Sequence, residues 1–197
     1  MSKKEQIIKV ASKYFSEVGY EKAVLEDVAK EVGISKAAIY YHFKDKYALY
    51  EAVLCSKFQE LGEVICKIDE HKPVVALREY IESFGRFLID KPCFSAIFAR
   101  ELADGAQNIP PSCTKQMSRV VKKLSNILQN GYTEAIFEKE NAFMVQLMIV
   151  STLVNYVTTK DLRGKVMGNL EDLEDVDVEL EDIITNLANK MVKALKC

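Results

Sequence analysis

Residues 24–46, VLEDVAKEVGISKAAIYYHFKDK, decide the fold of the first part of the chain. The apolar spacing of Val28 and Val32 predicts a short helix, and Gly33 follows it directly, where a chain that leaves a helix often needs a positive φ. Ser35 can then begin a second helix, because its hydroxyl can accept a hydrogen bond from an unpaired backbone N–H. Two helices joined by a tight turn that contains Gly indicate a helix-turn-helix motif.

The second helix of this motif is predicted over residues 36–43 and carries side chains suited to DNA. In a helix-turn-helix unit the second helix lies in the major groove and presents its N-terminal side chains to base edges. The candidate DNA-binding residues are Ser35, Lys36, Ala37, Tyr40, Tyr41, His42 and Lys46. Contacts to phosphates would give affinity, and contacts to bases would give sequence choice.

These side chains also have structural alternatives to DNA contact. Lys36 is expected to reach a base edge or a phosphate and Lys46 a phosphate, whereas solvated surface lysine is the alternative. Tyr40 and Tyr41 are adjacent and do not share one helix face. One is expected to point toward the groove while the other packs partly inward, and a fully buried Tyr40 is the alternative. His42 is expected to donate to a phosphate or to cap the helix end.

The composition indicates an all-α protein with one or two domains. The chain has 197 residues, 49% of them hydrophobic, but only 8 Gly, 4 Pro and few strand signals. Its formal net charge is -2, although residues 1–50 hold nine Lys against seven Asp and Glu. This local excess of positive charge is mild, so tight DNA binding would need clustered basic groups and two copies of the binding unit.

Few residues could support catalysis or metal binding. His42 and His71 are the two His, and the sequence contains no nucleophile–base pair, metal-ligand spacing or phosphate-binding loop. We therefore expect no enzymatic activity, no metal and no cofactor. The five Cys form no CxxC pair, and no secretory signal precedes them, so free and mostly buried thiols in a reducing cytoplasm are expected.

Apolar residues at three- and four-residue steps predict helices along the rest of the chain. A long fourth helix carries the apolar seam Leu54, Phe58, Leu61, Ile65 and Ile68. A first helix is predicted over residues 3–18, ended by Gly19. The helices after the motif are predicted over residues 46–68, 73–89, 92–102, 112–129, 140–163 and 179–195.

Residues 141–159 contain no charge, which raises the question of a membrane span. Several Asn, Gln, Ser and Thr lie in the same stretch, and polar groups are costly in hydrocarbon. We therefore expect no membrane span but a helix buried on all sides, by its own core and by a partner subunit. Residues 171–182 hold eight acidic and no basic residues, which predicts a solvated loop and the acidic first turn of a last helix.

Residues 7–49 resemble the N-terminal domain of the TetR family of bacterial repressors. The matching residues are Ala11, Phe15, Gly19, Tyr20, Asp27, Val28, Ala29, Val32, Gly33, Ile34, Ser35, Ile39, Tyr40, His42, Phe43, Lys46 and Leu49. Two features depart from the family pattern. Ala23 and Val24 stand where the family usually has a Thr or Ser that caps the second helix and approaches a phosphate, and Ala37 stands where it often has Gly.

The resemblance implies an all-α protein of nine helices. A three-helix DNA-binding head with the helix-turn-helix would occupy residues 1–48, and a six-helix regulatory and dimerisation domain would occupy residues 49–197. The last two helices, about 140–163 and 179–195, would form a four-helix interface with those of a second copy. The implied partners are double-stranded operator DNA, a second copy of the chain and a small hydrophobic or amphipathic effector.

Aromatic and Met side chains of the second domain are candidates for an effector pocket, with ordinary core packing as the alternative. They are Tyr80, Phe84, Phe87, Phe98, Met117, Phe137, Met144 and Met148. Arg100 and Glu101 are expected to form a surface ion pair, with polar anchors for an effector as the alternative. The predicted function is a ligand-responsive transcriptional regulator, a repressor that binds a pseudo-palindromic operator as a dimer. A helical ligand-binding or interaction protein without DNA binding is the alternative, and activation of transcription stays open.

Overall fold

The computed structural model describes residues 1–169 and 179–197, and these residues form ten helices. The predicted all-α fold is confirmed. One antiparallel bridge, between Phe137 and Lys196, joins two segments outside the helices. The helices are α1 (Lys3–Lys22), α2 (Leu25–Val32), α3 (Lys36–His42), α4 (Lys46–Cys66), α5 (Pro73–Asp90), α6 (Pro92–Ala103), α7 (Pro111–Thr133), α8 (Ala142–Thr158), α9 (Lys160–Met167) and α10 (Leu180–Leu195).

The chain divides into two compact units that interleave along the sequence. The first unit holds residues 1–60 and 91–117, and the second holds residues 61–90 and 118–197. The first unit therefore contains α6 and the first turns of α7 in addition to the helix-turn-helix. The domain boundary predicted after residue 48 does not coincide with the division into these two compact units. The division of the chain into a DNA-binding domain and a regulatory domain at that point stays a prediction.

Within the first unit, α1 is the central helix of the DNA-binding head. Three apolar residues of α1 at four-residue steps are buried, because Ile7, Ala11 and Phe15 are each at 1% exposure or less. Gly19 adopts φ 79° and ψ 169°, so the helix is interrupted there, but a final turn continues to Lys22. The prediction that Gly19 ends the helix is corrected by this extra turn.

Helix α6 packs against α1 inside the same unit. Phe58 of α4 meets two α6 rings edge to face, with centroids 5.1 Å from Phe94 and 5.5 Å from Phe98. Both α6 side chains are buried. The head is therefore supported by a fourth and a sixth helix, which the three-helix prediction left out.

Two helices, α8 and α9, form where one helix was predicted over residues 140–163. Thr159 leaves helical geometry at φ -107° and ψ 23°, and α8 and α9 meet there at 73°. The guanidinium of Arg163 lies 3.6 Å from the centre of the Tyr156 ring and donates to the carbonyl of Tyr156, which holds the bend. The protein accordingly has ten helices in its described residues and not nine.

No single helix in residues 1–169 and 179–197 is long and apolar enough to cross a membrane. Helices α8 and α9 reach the required length and composition together, but only as a bent pair. The predicted acidic loop over residues 171–178 lies outside the described residues.

The second unit is built around α5, which packs on α10 and α8. Gly85 of α5 lies against Ile184 of α10, where an added Cβ would come within 2.7 Å of the Ile184 side chain. Helix α7 continues to Thr133, beyond the end predicted at residue 129. Asn130 and Gly131 lie inside this helix and do not end it. The reason is that the buried Phe137 ring packs against the Cα of Gly131, which carries no side chain.

Candidate DNA-binding site

The turn between α2 and α3 has the predicted geometry. Gly33 adopts φ 73°, the left-handed conformation that costs Gly little. Ser35 caps α3, with its hydroxyl accepting a hydrogen bond from the N–H of Ala38 at 3.2 Å. Val24 precedes α2 without a side-chain cap, as the departure from the family pattern predicts. The turn therefore fixes the direction in which α3 leaves α2.

Two buried side chains hold α3 in place. Ile39 is fully buried and Phe43 is 4% exposed, and both were expected to be core residues. Tyr14 adds a link between the two helices before the turn, because its hydroxyl donates to the Asp27 carboxylate at 2.8 Å. This hydrogen bond and the nearby charge raise the pKa of Tyr14. A rigid support of this kind leaves the other face of α3 free for contact.

The exposed face of α3 is formed by Lys36, Ala37, Tyr40 and Tyr41. Tyr41 is 86% exposed and Tyr40 is 45% exposed, so neither packs into the core. The partly covered Tyr40 agrees with the expectation that one of the two packs partly inward, and the alternative of a fully buried Tyr40 is wrong. Tyr41 also contacts the half-buried His42 ring edge to face, at 5.1 Å between centroids.

Lys36 has a carboxylate partner on α2. Its ammonium group forms an ion pair with Glu26 and lies 5.8 Å from the centre of the Tyr40 ring. The hydrogen bond from Lys36 lowers the pKa of Glu26, and the same bond raises the pKa of Lys36. Both side chains are about half exposed, so the pair adds little stability and Lys36 can exchange its partner for a phosphate or a base.

Lys46 lies away from the exposed face of α3 and closes the end of α1. Its Nζ donates to the carbonyls of Tyr20, Glu21 and Ala23 at 2.9, 3.1 and 3.3 Å, and it lies 4.5 Å from the centre of the Tyr20 ring. All three ammonium hydrogens are used in this way. In this structure Lys46 satisfies unpaired carbonyls at a helix end, and its expected phosphate contact stays a prediction.

Replacing Lys46 by Met should destabilise the head. Three carbonyls would lose a charged donor, which is expected to lower the free energy of unfolding by about 1–3 kcal/mol. Thermal and urea unfolding would measure the loss. Lys44→Met is the matched control, because the Lys44 side chain is 86% exposed and its nearest carboxylate oxygen, on Asp45, is 3.8 Å away. Equal stability of the two variants would contradict this role of Lys46.

The candidate effector residues belong to two different units. Tyr80, Phe84, Phe87 and Phe137 are buried in the second unit, whereas Phe98 is buried and Met117 half-buried in the first. Met144 and Met148 are each 50% exposed on the outer face of α8. The apolar content of α8 extends around the helix, so the sequence could not tell which side faces inward.

A polar group that the sequence did not reveal is buried in the first unit. Glu101 is 3% exposed, and its carboxylate accepts hydrogen bonds from the Tyr50 hydroxyl at 2.5 Å and from the N–H of Asn108 at 3.2 Å. Arg100 donates to the carbonyl of Glu17. The expected surface ion pair between Arg100 and Glu101 is wrong, because the two side chains meet different partners and Glu101 is buried.

These residues border a cleft of about 190 Å³ near the end of α1. Gly19, Tyr20 and Tyr50 also line it, whereas none of the eight predicted effector residues does. No sequence motif marks the cleft, because its residues come from α1, α4, α6 and the segment after α6.

Comparison with known families agrees with this site. The family model described as "Bacterial regulatory proteins, tetR family" matches residues 7–53, which include α2, the turn and α3. A second model, described as "YcdC-like protein, C-terminal region", matches residues 56–188, well over half of the chain. The chain belongs to the TetR family. Its predicted function as a transcriptional regulator is thereby confirmed.

Individual TetR-family relatives resemble the chain over different lengths. The HTH-type transcriptional regulator RutR of Escherichia coli K12 is 26% identical over 190 residues, which are 90% of each protein. IcaR of Staphylococcus aureus strain Newman, the negative regulator of the biofilm operon icaADBC, is 34% identical over 87 residues, 44% of this chain and 46% of IcaR.

Solved structures of TetR-type regulators share the fold. The transcriptional regulator FadR from Bacillus subtilis, solved in complex with stearoyl-CoA, superposes with a TM-score of 0.73 at 20% identity. The match covers 97% of this chain and 98% of FadR. At this level of identity the likeness supports the all-α TetR fold and leaves the ligand of this chain open.

Proposed function

We propose that this chain is a dimeric repressor of the bacterial cytoplasm that reads a pseudo-palindromic operator with α3 and is released by a small apolar or amphipathic effector. The observation that carries the DNA-reading part is the exposed face of α3, where Lys36, Ala37, Tyr40 and Tyr41 lie together on a helix held by the Gly33 turn. Aromatic and amide or amine groups on such a helix suit base edges and phosphates in a major groove.

The ability of Lys36 to exchange its ion-pair partner supports DNA binding that depends on salt. On DNA, Lys36 would leave Glu26 for a phosphate or a base, and the Glu26 carboxylate would then face the same negative backbone. Because the rest of the head is only mildly basic, affinity would rest on few contacts in each copy. Two heads on one duplex would add their contacts, and counterion release would make the binding weaken with salt.

An exposed apolar face on α8 supports the dimer. Phe143, Met144, Leu147 and Met148 are 60, 50, 45 and 50% exposed, and they lie one turn apart along one side of the helix. A contiguous apolar surface of this kind on a soluble domain marks an interaction site. A second copy is the occupant that fits best, because a two-fold dimer places two α3 helices about one DNA turn, ~34 Å, apart.

The interior of the second unit supports an amphipathic effector. The Tyr80 hydroxyl donates to the side-chain oxygen of Gln146 at 2.6 Å, and burial raises the pKa of Tyr80. This buried polar pair lies in an otherwise apolar interior, and the Tyr80 and Phe84 rings pack 6.4 Å apart. A ligand with an apolar body could take the place of packed side chains and use the pair as a polar anchor.

The names of two similar proteins agree with this proposal. IcaR is a negative regulator, which favours repression over activation. FadR was solved with stearoyl-CoA, a molecule with a long apolar chain and a polar head. We infer an effector of that general chemistry. It would shift the population toward a form with poorly spaced heads, with a coupling of typically about 1–3 kcal/mol.

Selection from a pool of random duplexes tests the proposed function. We expect the full-length protein to enrich a pseudo-palindrome, and Tyr41→Ala to weaken binding to that duplex by roughly tenfold to a hundredfold through lost groove contacts. Tyr132→Ala is the control, because Tyr132 is a 46% exposed tyrosine on α7. A pool without enrichment would favour the alternative of a helical ligand-binding protein that does not bind DNA.

A further inference from the structure

Two cysteines of the first unit have their sulfur atoms in contact. Cys55 lies on α4 and Cys113 in the first turn of α7, and both are free thiols. Their Sγ atoms are 2.6 Å apart. A disulfide needs about 2.05 Å between sulfurs, so roughly half an ångström of movement would bring the pair to bonding distance.

Two polar side chains follow one another beside the Cys55 thiol. The Ser112 hydroxyl donates to the Glu51 carboxylate, so its oxygen is free to accept the S–H of Cys55 at 3.0 Å. Glu51 and Cys55 are four residues apart on α4 and lie on the same side of the helix. These contacts place the Cys55 thiol beside polar groups, and it is the thiolate form of a cysteine that reacts with oxidants.

The two thiols differ in their access to solvent. Cys55 is partly exposed, whereas Cys113 is fully buried. Burial, followed by the hydrogen bond with Cys55, raises the pKa of the Cys113 thiol. Cys55 is thus suited to meet an oxidant from solvent, and Cys113 is suited to remain a protonated thiol beside it.

We propose that Cys55 and Cys113 form a reversible oxidation site at which a hydroperoxide produces an intramolecular disulfide. The Cys55 thiolate attacks the terminal peroxide oxygen, so an S–O bond forms, the O–O bond breaks and the alcohol or water leaves with the proton. The resulting sulfenic acid then reacts with the Cys113 thiol. An S–S bond forms, the S–O bond breaks, and water carries away the hydroxyl group and the second proton. A dithiol reductant reverses the bond.

The bond would close a loop between residues that are 58 positions apart. All of α6 lies within this loop, and α4 begins at Lys46, the residue that closes α1. Oxidation would therefore restrain α4 against the start of α7 inside the first unit. A cross-link over such a loop removes freedom from the unfolded chain, so the oxidised protein should unfold at a higher temperature than the reduced protein.

Thiol mapping of the full-length protein tests the site. The reduced protein is treated with hydrogen peroxide or cumene hydroperoxide, its remaining thiols are alkylated under denaturing conditions, and its peptides are analysed by mass spectrometry. We expect a peptide pair joined through Cys55 and Cys113, a loss of two hydrogens from the intact mass, and recovery of both thiols with dithiothreitol. The oxidised protein should also melt above the reduced protein.

Cysteine variants distinguish a specific bond between Cys55 and Cys113 from general oxidation of the thiols. Cys55→Ser should abolish the joined peptides, and Cys113→Ser should leave an oxygen adduct on Cys55 in place of the bond. Cys93→Ser is the matched control, since Cys93 is also partly exposed, and it should keep the bond. Because Cys113 is buried, Cys55→Ser carries the test if Cys113→Ser does not fold. The proposal fails if Cys55 and Cys113 both stay reduced at a peroxide concentration that oxidises the exposed Cys66 and Cys197. It also fails if Cys55 forms disulfides with the other cysteines as often as with Cys113.

Discussion

Leu147→Asp should convert the protein to a monomer and weaken operator binding by about a hundredfold or more, because two linked heads lose their shared binding. Leu147 is 45% exposed at the centre of the apolar face of α8. A carboxylate there would be buried without a partner in the proposed interface, which costs far more than the lost apolar contact. Sedimentation analysis would measure the oligomeric state, and fluorescence anisotropy with the selected duplex would measure affinity.

Val75→Asp is the control for this change. Val75 is a 56% exposed apolar residue on α5, in the same compact unit but outside the α8 face. This variant should remain dimeric and keep its DNA affinity. If Leu147→Asp also remains a dimer with unchanged affinity, the apolar face of α8 is not the interface between copies.

Gly131→Ala should lower the free energy of unfolding by about 2–3 kcal/mol, the upper range for forcing a methyl group into a packed core. The new Cβ would overlap the ring of Phe137, which is 1% exposed. The ring has little room to move, since the N–H groups of Ile136 and Phe137 both donate to the Gly131 carbonyl. Thermal unfolding followed by circular dichroism would measure the change.

Gly164→Ala gives the matched comparison within the same unit. Gly164 lies in α9 with no atom within 4 Å of the position of an added Cβ. The substitution should be neutral or stabilising by up to about 1 kcal/mol, because Ala is the better helix former. If the two Gly→Ala variants melt at the same temperature, the packing of Phe137 on α7 is not as described.

Local signals predicted the helix-turn-helix and most helix ends. Gly33 and Ser35 determine the turn through backbone geometry and one side-chain hydrogen bond, and both are properties of a few adjacent residues. The buried positions of α1 and the seam of α4 follow from apolar spacing alone. These features could be predicted because each depends on neighbours along the chain.

The features that sequence reasoning missed depend on contacts between distant residues. The bend at Thr159 interrupts a segment with no Gly or Pro to mark it, and α7 runs past Gly131 because a ring six residues later packs there. Lys46 meets carbonyls more than twenty residues away, and Glu101 meets the Tyr50 hydroxyl across 51 positions. The chemistry of Lys and Glu suits DNA, ion pairs and helix ends equally, so only their placement distinguishes these roles.

The central claim, that α3 reads duplex DNA from two linked heads, is tested most directly by the salt dependence of binding. Association of the full-length protein with a random-sequence duplex would be measured by anisotropy between about 50 and about 200 mM salt. We expect measurable binding at the lowest salt and a linear fall of the logarithm of the association constant with the logarithm of salt. A protein that ignores the duplex at the lowest salt, or binds it equally at all salt concentrations, would contradict this role of α3.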